Sequence, residues 1–356
     1  MNLIMKKKVF VLMSGGVDSS VAAFLLKREG YDVIGVHLKI SKYCNPQDEE
    51  DARAVANILN IPFYVIDITK EYQSTIALDT IKNYALGLTP NPDALCNRLI
   101  KFGYVFDFLK KLGMDYIATG HYAKKDKIDN EEVIKIPKDK NKDQTYFLWG
   151  IKRERIKRIL FPLGDLTKEE VRKIAKEFNL PVAEKKDSQG ICFLGPIKLI
   201  DFLKEFLPEN RGLILDTQGR ILGYHPGHYF FTEGQRHGLN IKTGDGPYYV
   251  ALKDPKKNYL IVAKEGESVL YSRKIKLKNV NLLVSKKFLE NIKENNQISV
   301  LARCRYRQPL TKAIFNLENK ILEFETPIKA VALGQSAVFY YNDILIGGGI
   351  IAKRLE

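Results

Sequence analysis

The chain has 356 residues and a net charge of +15, with 45% of its residues hydrophobic and 28% charged. That length suggests two or three domains, and the composition is ordinary for a globular protein with buried cores. The apolar run at residues 9–13 is far shorter than the roughly 20 residues of a membrane-spanning helix, and no cleavage-site pattern follows the basic start. We therefore expect a cytoplasmic protein with no membrane partner.

The positive charge admits two interpretations. Lys and Arg outnumber Asp and Glu by 57 to 42. Clustered cations attract phosphates, so a polyanionic partner is one interpretation. A basic, solvated surface without such a partner is the other, and the charge alone does not decide between them.

The four cysteines, Cys44, Cys96, Cys192 and Cys304, include no CxxC pair. This spacing argues against structural zinc, and we expect no metal site built from protein ligands alone. Four scattered thiols in a reducing compartment are not a disulfide framework either. Each cysteine is therefore a buried or a reactive thiol.

The first 125 residues alternate between short apolar runs and stretches with helical spacing. The apolar runs predict buried strands at residues 8–13, 32–40, 63–68 and 114–119. The intervening stretches predict helices at residues 19–28, 51–59, 76–86 and 97–112. This order predicts an α/β fold with a doubly wound parallel sheet, in which ligands bind beyond the carboxyl ends of the strands. The loop at residues 14–20, Leu38 and Gly120 all lie at such ends.

The predicted secondary structure changes from mixed helices and strands to mostly short strands after about Pro208. Before it, residues 124–142 predict a surface hairpin or a mobile loop, and Thr167 begins a helix with a capping-box pattern. After it, short β-prone stretches separated by Gly and polar residues predict a small β-rich central domain and a C-terminal β-barrel. The expected domains span residues 1–207, which we expect to be catalytic, 208–270 and 271–356.

The segment SGGVDSS, residues 14–20, lies between a predicted strand and a predicted helix. Its glycines permit backbone conformations that other residues avoid, so loop amides and the helix N-terminus can face one anion. Asp18 can cap free amides or hold a metal ion. Neither a Walker A motif nor GxGxxG is present. The segment resembles the pyrophosphate loop of N-type ATP pyrophosphatases, which implies adenylation of a substrate; a glycine-rich turn without chemistry is the alternative.

Two further segments each place one thiol beside turn-forming residues. In residues 89–97, TPNPDALCN, Cys96 lies near the predicted start of a helix, where thiolate is favoured, and Asp93 can exchange a proton with it or with a substrate. In residues 187–193, DSQGICF, Cys192 lies in a polar loop. Two such thiols can carry a persulfide and resolve it as a disulfide. For Cys96 a helix cap followed by a buried thiol is equally compatible, and Cys304 is expected to pack within a strand.

Two basic segments interleave cations with aromatic residues. They are residues 142–146, KDQTY, and residues 303–308, RCRYRQ. Arginine and tyrosine in this pattern suit phosphates and stacked bases. One solvated strand face with alternating arginines is the alternative for the second segment.

Eight segments occur in the order seen in bacterial tRNA-specific 2-thiouridylases, the MnmA family, and the chain resembles that family from about residue 8 to its end. The segments are SGGVDSS, NPDALCN, GHYA (120–123), KDQTYFL (142–148), DSQGICF, EGQRHGL (233–239), RYRQP (305–309) and GQSAVFY (334–340). Residues 41–50 look shorter than in many members, so that loop, including Cys44, has no assigned role.

The resemblance implies site residues position by position. The ATP-binding positions are matched by Leu12, Met13, Ser14, Gly15, Gly16, Val17, Asp18, Ser19, Leu38 and Gly120. Cys96 matches the nucleophile and Cys192 the cysteine that bears the persulfide, with Asp93 as a further catalytic candidate. Asn91, Pro92 and Asp93 match the segment that meets the target base. The tRNA contacts are matched by His121, Lys142, Asp143, Gln144, Arg305, Tyr306 and Gln335.

The resemblance also implies a reaction and its partners. ATP, with Mg²⁺, adenylates the C2 carbonyl oxygen of the wobble uridine in tRNAs for Lys, Glu and Gln. A cysteine desulfurase or sulfur-relay protein loads Cys192, and sulfur replaces the oxygen to give 2-thiouridine. Cys96 either frees hydrosulfide from the persulfide or resolves a covalent adduct as a disulfide, and the sequence leaves both routes open.

Three other functions share part of this pattern. Adenylating ligases and amidotransferases have the same loop but need neither two loop cysteines nor a basic barrel. Enzymes that make 4-thiouridine usually place RNA-binding domains before the loop, which begins here at residue 14. An RNA-binding protein with a purely structural loop is the non-enzymatic alternative.

Overall fold

The computed structural model describes residues 6–186, 194–195, 197–244 and 246–355. Strands alternate with helices in the first part of the chain. The elements are β1 (Lys8–Leu12), α1 (Val17–Arg28), β2 (Asp32–Lys39), α2 (Pro46–Ile58), β3 (Phe63–Asp67), α3 (Thr69–Tyr72), α4 (Leu78–Ala85), α5 (Pro92–Cys96), α6 (Phe106–Lys111), β4 (Tyr116–Thr119), β5 (Lys124–Ile128), β6 (Glu131–Lys135), β7 (Ile159–Leu160), α7 (Lys168–Glu177) and α8 (Leu199–Lys204). Wide π-helical turns, Gln73–Ala77 and Asn97–Val105, join α3 to α4 and α5 to α6.

Five of these strands form a parallel sheet in the order β3-β2-β1-β4-β7, which confirms the predicted doubly wound fold. The central strand β1 alternates its side chains between two buried layers. Val9 and Val11 belong to the core that includes α1 and α7, whereas Phe10 and Leu12 belong to the core that includes α5 and α6. Burial on both faces explains why β1 is a continuous apolar run.

Two helices begin earlier than the sequence predicted. Helix α2 begins at Pro46 and α5 at Pro92, each directly after an asparagine cap. The side chain of Asn91 accepts a hydrogen bond from the amide of Ala94 at 3.1 Å. Proline suits the first helical position because that residue needs no amide donor. The interpretation of the two prolines as part of a loop was therefore wrong for residues 92–96, and Cys96 is the fifth residue of its helix.

The charged stretch after β4 forms the predicted hairpin. Strands β5 and β6 pair antiparallel through a turn in which Asp129 and Asn130 both have positive φ, as a tight hairpin turn requires. The hairpin also pairs with a distant strand, because Lys135 lies in register with Ile344 near the C-terminus. The sequence did not predict this pairing.

The remaining strands form two further sheets. The four-stranded sheet contains β8 (Gly212–Leu215), β9 (Ile221–His225), β10 (Tyr248–Asp254) and β11 (Tyr259–Lys264), in the order β10-β11-β8-β9. The barrel elements are β12 (Tyr271–Leu282), α9 (Lys286–Ile292), β13 (Gln297–Arg303), β14 (Thr311–Asn316), β15 (Ile321–Lys329), β16 (Ser336–Tyr341) and β17 (Ile344–Arg354). The expected domain limits at 207/208 and 270/271 stay predictions.

Six strands close the C-terminal barrel, as predicted. Strand β12 pairs with β15 on one side and with β17 on the other, which completes the ring β12-β15-β14-β13-β16-β17. Phenylalanines fill its centre, and the rings of Phe315 and Phe339 stack with centroids 4.4 Å apart. Cys304 belongs to this core, where burial raises the pKa of its thiol to about 12, so its expected packing role is confirmed.

An ion pair joins the barrel to the first part of the chain. Arg303, at the end of β13, donates to Asp143 at 2.6 Å, and both side chains are buried. Asp143 also accepts hydrogen bonds from the amide and hydroxyl of Thr145. None of the helices in the described ranges is long and apolar enough to cross a bilayer.

We expect Arg303→Met to lower the free energy of unfolding by about 3–5 kcal/mol, because it leaves the buried Asp143 carboxylate without its cation. The matched control is Arg273→Met, whose guanidinium is half exposed and 3.9 Å from Glu323, and which should cost about 1 kcal/mol or less. Urea denaturation followed by circular dichroism measures both. Equal losses in the two variants would contradict a structural role for the buried pair.

Candidate functional site

The glycine-rich loop folds tightly onto itself after β1. The amide of Ser14 donates to the hydroxyl of Ser19 at 3.1 Å, and the hydroxyls of Ser19 and Ser20 donate to the carbonyl oxygen of Gly16 at 3.2 and 2.9 Å. Gly15 has φ of +77°, and a Cβ there would lie 2.1 Å from the carbonyl oxygen of Asp48. This position therefore requires glycine.

The N-terminus of α1 opens onto the same loop. Gly16 is the N-cap and has no side chain to cover the amides of the first turn. Such amides and the positive end of the helix dipole favour an anion. Gly120 closes the other side, because a Cβ there would lie 2.6 Å from the amide nitrogen of Ser19. The loop is thus a cradle built for close approach to backbone amides.

Four predicted ATP-binding positions outside the loop lie at the carboxyl ends of strands. Leu12 ends β1, Leu38 is the penultimate residue of β2, and Gly120 directly follows β4. The carboxyl ends of these adjacent parallel strands form one edge of the sheet. Met13 is fixed at this edge because its amide donates to Val36 at 2.8 Å. The structure therefore gathers all ten positions around one loop.

Asp18 organises the entry to α1. Its Oδ1 accepts hydrogen bonds from the hydroxyl of Tyr122 at 2.8 Å and from Nζ of Lys168 at 2.7 Å. The side chain of Lys168 is 9% exposed, so a nearly buried cation lies against the loop. Sequence reasoning missed Lys168. The signal available was the capping box of Thr167, which the structure confirms and which makes Lys168 the first residue of α7.

A second lysine that the sequence analysis missed holds the loop from another side. Nζ of Lys185 donates to the carbonyl oxygen of Gly15 at 3.0 Å, to Asp48 at 2.7 Å and to Asp51. Burial works against its charge, but hydrogen bonds to both aspartates raise the pKa of Lys185. The segment 187–193, which contains Cys192, begins two residues after Lys185 and lies outside the described residues.

Gly195, which follows this segment in the chain, packs close to Cys44. Gly195 has φ of +54°, and a Cβ there would lie 2.6 Å from the carbonyl oxygen of Tyr43. Leu194 belongs to the main core. Cys44 is half-buried and Cys96 is buried.

The segment that precedes Cys96 is fastened to the barrel. The amide of Thr89 donates to the carbonyl oxygen of Leu333 at 2.7 Å, and Nδ2 of Asn91 donates to the hydroxyl of Ser336 at 3.3 Å. Pro92 is buried and Asp93 is half-buried in the first turn of α5. The sequence did not predict these contacts, because the partners are more than 240 residues apart in the chain.

The candidate tRNA contacts of the two basic segments meet around Tyr146. Its buried hydroxyl lies 2.8 Å from the carbonyl oxygen of Ser336 and 3.1 Å from Oε1 of Gln335. The ring of Tyr306 lies 4.6 Å from that of Phe147 and 6.3 Å from that of Tyr146, measured between centroids. The guanidinium of Arg307 lies 5.3 Å from the ring of Tyr306. Predicted aromatic and basic residues thus form one surface from two parts of the chain.

Arg303 does not belong to that surface, contrary to the interpretation of residues 303–308 as a run of RNA contacts. It is 5% exposed and bonded to Asp143, so its guanidinium is not available to phosphates. The carboxylate of Asp143 is equally enclosed. Alternation along a strand explains the difference, because Arg303 faces inward at the end of β13.

Gln144 connects the basic surface to the glycine-rich loop. The side-chain Oε1 of Gln144 accepts a hydrogen bond from the backbone amide of Tyr122 at 2.9 Å. The backbone amide of Gln144 donates to the carbonyl oxygen of Tyr122 at 3.0 Å. His121 lies between the two regions, 2.8 Å from the hydroxyl of Thr119. Burial, reinforced by the cation of Lys101, holds the pKa of His121 well below its usual value, so the imidazole is neutral at pH 7.

A cleft of about 1100 Å³ runs beside this surface, between residues 136–143 and the barrel. Its lining includes the cations Lys124, Lys138, Lys140, Lys142 and Arg307, the carboxylates Asp165 and Asp343, and the buried pair of Arg303 and Asp143. Lys124 is paired with Asp165 at 2.6 Å, and Lys138 with Glu170 at 2.7 Å. The positive side of the cleft continues the surface around Tyr306.

Three family models match consecutive parts of the chain. Residues 7–196 match a tRNA methyl transferase HUP domain, residues 200–264 a tRNA methyl transferase PRC-barrel domain, and residues 272–351 an aminomethyltransferase β-barrel domain. The first model alone spans more than half of the chain.

Curated relatives match over nearly the full length. The tRNA-specific 2-thiouridylase MnmA 1 of Geobacillus kaustophilus is 44% identical over 99% of this chain and 97% of its own length. The corresponding protein of Karelsulcia muelleri is 43% identical over 98% of this chain and 100% of its own. A solved 4-thiouridine synthetase–RNA complex with bound ATP covers 53% of this chain and 45% of its own, at 18% identity and a TM-score of 0.37, which is too distant to inform the site. The two curated relatives place this chain in the tRNA-specific 2-thiouridylase family.

Proposed function

We propose that this protein converts a uridine of tRNA to 2-thiouridine at the expense of ATP. One observation carries the proposal beyond family membership: the hydrogen-bonded chain Asp18–Tyr122–Gln144 joins the glycine-rich loop to the surface around Tyr146 and Tyr306. An enzyme that adenylates an RNA base needs its nucleotide loop and its RNA surface in one fixed relation. A ligase for small acceptors has no use for the second surface.

The glycine-rich loop and its neighbours are the proposed ATP site. Backbone amides of the loop and of the first turn of α1 bind phosphates. Gly15 and Gly120 allow neighbouring segments of the chain to pack closely against the loop and fix these amides in place. Lys168 adds positive charge at Asp18. Both hydrogen bonds to Asp18 use Oδ1, so its second oxygen can serve a Mg²⁺ ion, a hard cation that prefers carboxylate oxygens.

The segment Asn91, Pro92 and Asp93 is proposed to hold the target uridine, with Cys96 one helical turn beyond Asp93. Helix α5 and the proline at its first position make this segment rigid. The base must leave its stack to reach it, which is easiest for a nucleotide in the anticodon loop. The wobble uridine of tRNAs for Lys, Glu and Gln is the proposed target.

Cys192 is the proposed carrier of sulfur. The chain leaves the described structure after residue 186, close to the loop, and returns at Leu194 and Gly195 beside Tyr43. A cysteine desulfurase or a sulfur-relay protein is the proposed donor of its persulfide.

The chemistry needs one activation and one sulfur transfer. Adenylation of O2 makes that oxygen a leaving group, with pyrophosphate as the first product. The terminal sulfur of the Cys192 persulfide then forms the bond to C2, and AMP departs with the oxygen. The Cys96 thiolate attacks the inner sulfur, which leaves 2-thiouridine and a Cys96–Cys192 disulfide; alternatively, Cys96 attacks first and releases hydrosulfide that adds to C2.

Binding of tRNA is proposed to use Lys142, Gln144, Arg305, Tyr306 and Gln335. Cations hold phosphates, and the exposed part of the Tyr306 ring offers a stacking face. His121, neutral and close to Gly120, is proposed to contact the RNA where it approaches the ATP site. The backbone around Asp143 contributes while its side chain fixes the segment through Arg303.

The proposal is tested directly with unmodified tRNA, ATP, Mg²⁺ and a cysteine desulfurase that uses cysteine as the source of persulfide sulfur. Mass spectrometry of the digested nucleosides should show 2-thiouridine, formed in an ATP-dependent manner together with AMP. 4-Thiouridine as the product would favour the related thiolation enzymes. AMP formation that depends on a small acceptor would favour a ligase, and tight tRNA binding without any AMP formation would favour a non-enzymatic RNA-binding protein.

Replacement of Cys96 or Cys192 by serine should reduce 2-thiouridine formation by about 100-fold or more, because each removes a sulfur nucleophile. Adenylation of the tRNA should persist. Cys44→Ser is the matched control and should retain activity. The two-cysteine scheme is wrong if both Cys96→Ser and Cys192→Ser keep full activity with a persulfide donor.

Replacement of Lys168 by methionine should lower tRNA-dependent pyrophosphate release by about 100-fold, because the loop loses a preorganised cation. Binding of tRNA should stay within about threefold of the unmodified protein, since the tRNA surface is untouched. Lys173→Met, on the exposed face of the same helix, is the control. A loss of tRNA binding equal to the loss of pyrophosphate release would argue against placing Lys168 in the ATP site.

A further inference from the structure

A buried carboxylate lies where the segment before α5, the four-stranded sheet and the C-terminal barrel meet. Glu233 is the first residue of EGQRHGL, a segment to which sequence analysis assigned no role. Its side chain is 4% exposed, and that of Lys253, beside it, is 1% exposed. We call Thr89, Glu233, Lys253, Arg305 and Arg354 the junction cluster.

Each part of Glu233 contacts a different partner. Oε2 accepts a hydrogen bond from the hydroxyl of Thr89 at 3.3 Å and lies 3.7 Å from Nζ of Lys253. Oε1 lies 3.9 Å from the guanidinium of Arg354. The backbone carbonyl oxygen accepts a hydrogen bond from the guanidinium of Arg305. One residue thus connects β10, β17, the proposed tRNA surface and the segment before Cys96.

The charges of the cluster depend on this one carboxylate. Burial lowers the pKa of Lys253, Arg305 and Arg354, and the negative charge of Glu233 opposes that effect in all three. Lys253 also donates to the hydroxyl of Thr89 at 3.3 Å, so Thr89 accepts from the cation and donates to the anion. A neutral side chain at position 233 removes the negative charge that faces the buried Lys253 side chain and the half-buried Arg305 and Arg354.

The cluster reaches the target-base segment within two residues. Thr89 is held by Glu233 through its hydroxyl and by Leu333 through its amide. Asn91, two residues on, is held by Ser336, the neighbour of Gln335. Proline at positions 90 and 92 restricts the backbone, so a shift of Thr89 is passed on to Asn91 and the start of α5.

We propose that Glu233 is a positioning residue that couples tRNA binding at Arg305 to the placement of Asn91, Pro92 and Asp93, an inference that rests on the proposed function. Arg305 is joined to the backbone of Glu233 and Thr89 to its side chain, so the two ends of the coupling meet in a single residue. The role of Glu233, and with it of the segment 233–239, is to link the position of Arg305 to that of Thr89. It does not include contact with a substrate.

The test variant is Glu233→Gln, which keeps the shape of the side chain and the backbone contact to Arg305 but removes the charge. Single-turnover rates of 2-thiouridine formation are measured with enzyme in excess and saturating, so that a smaller folded fraction does not change the rate constant. We expect a loss of about 10- to 100-fold, the effect of misplacing reacting groups by about 1 Å. The dissociation constant for tRNA should change by less than about threefold.

Two further variants keep the result interpretable. Thr89→Val removes only the hydroxyl that Glu233 holds, so it should reproduce the defect, and the double variant should lose less than the product of the two single effects. Glu267→Gln is the control from the same part of the chain, where its carboxylate bonds Thr217 and the amide of Lys264. It should leave the rate constant unchanged.

Hydrogen–deuterium exchange separates this inference from the proposed function. Binding of tRNA should slow exchange in residues 88–97 of the unmodified protein and should fail to do so in Glu233→Gln. Identical protection in both proteins would overturn the coupling even if the reaction proved to be a different one. An unchanged single-turnover rate in both Glu233→Gln and Thr89→Val, or a defect confined to tRNA affinity, would overturn it as well.

Discussion

The shared oxygen of Asp18 is the constraint on which the rest of the site depends. Two donors from distant parts of the chain, the hydroxyl of Tyr122 and the ammonium of Lys168, converge on Oδ1 at 2.8 and 2.7 Å. A charge-assisted hydrogen bond in a largely enclosed site is strong and directional. It fixes the start of α1 relative to the segment after β4 and to the first turn of α7. The backbone of Tyr122 then positions Gln144, so the geometry of the proposed tRNA surface follows from that of the glycine-rich loop.

The barrel is held to the catalytic sheet by contacts that are specific rather than merely apolar. The hairpin β5–β6 extends the barrel sheet at Lys135 and Ile344, and Asn281 donates to the carbonyl oxygen of Trp149 at 2.7 Å. Ser336 receives hydrogen bonds from both the indole of Trp149 and the side chain of Asn91. Polar bonds of this kind define one orientation, because each buried group that loses its partner carries a desolvation penalty. The proposed ATP site and the proposed tRNA surface are therefore held at a fixed separation.

Local signals allowed the sequence to predict what is local. Short apolar runs predicted the parallel strands, a seven-residue motif predicted a tight glycine-rich turn between β1 and α1, and Thr167 predicted the cap of α7. The sequence could not show that Arg303 turns inward to meet Asp143, since the partners are 160 residues apart and the alternating arginines are equally compatible with a solvated face. The start of α5 was missed for another reason: Asn–Pro is ambiguous, because it suits a turn as well as an N-cap followed by the first helical position.

Chemistry on a single base of a large RNA sets a demand that this arrangement meets. A base that leaves its stack costs a few kcal/mol, and that cost must come from contacts elsewhere on the RNA. Contacts at the barrel can contribute only if the segment that receives the base does not move independently of them. Residues 89–91 satisfy this condition, because Thr89 and Asn91 are bonded to Leu333 and Ser336 in the barrel rather than to their own helix alone. In the proposed function, rigid attachment of residues 89–91 to the barrel thus converts affinity for the RNA body into placement of one nucleotide.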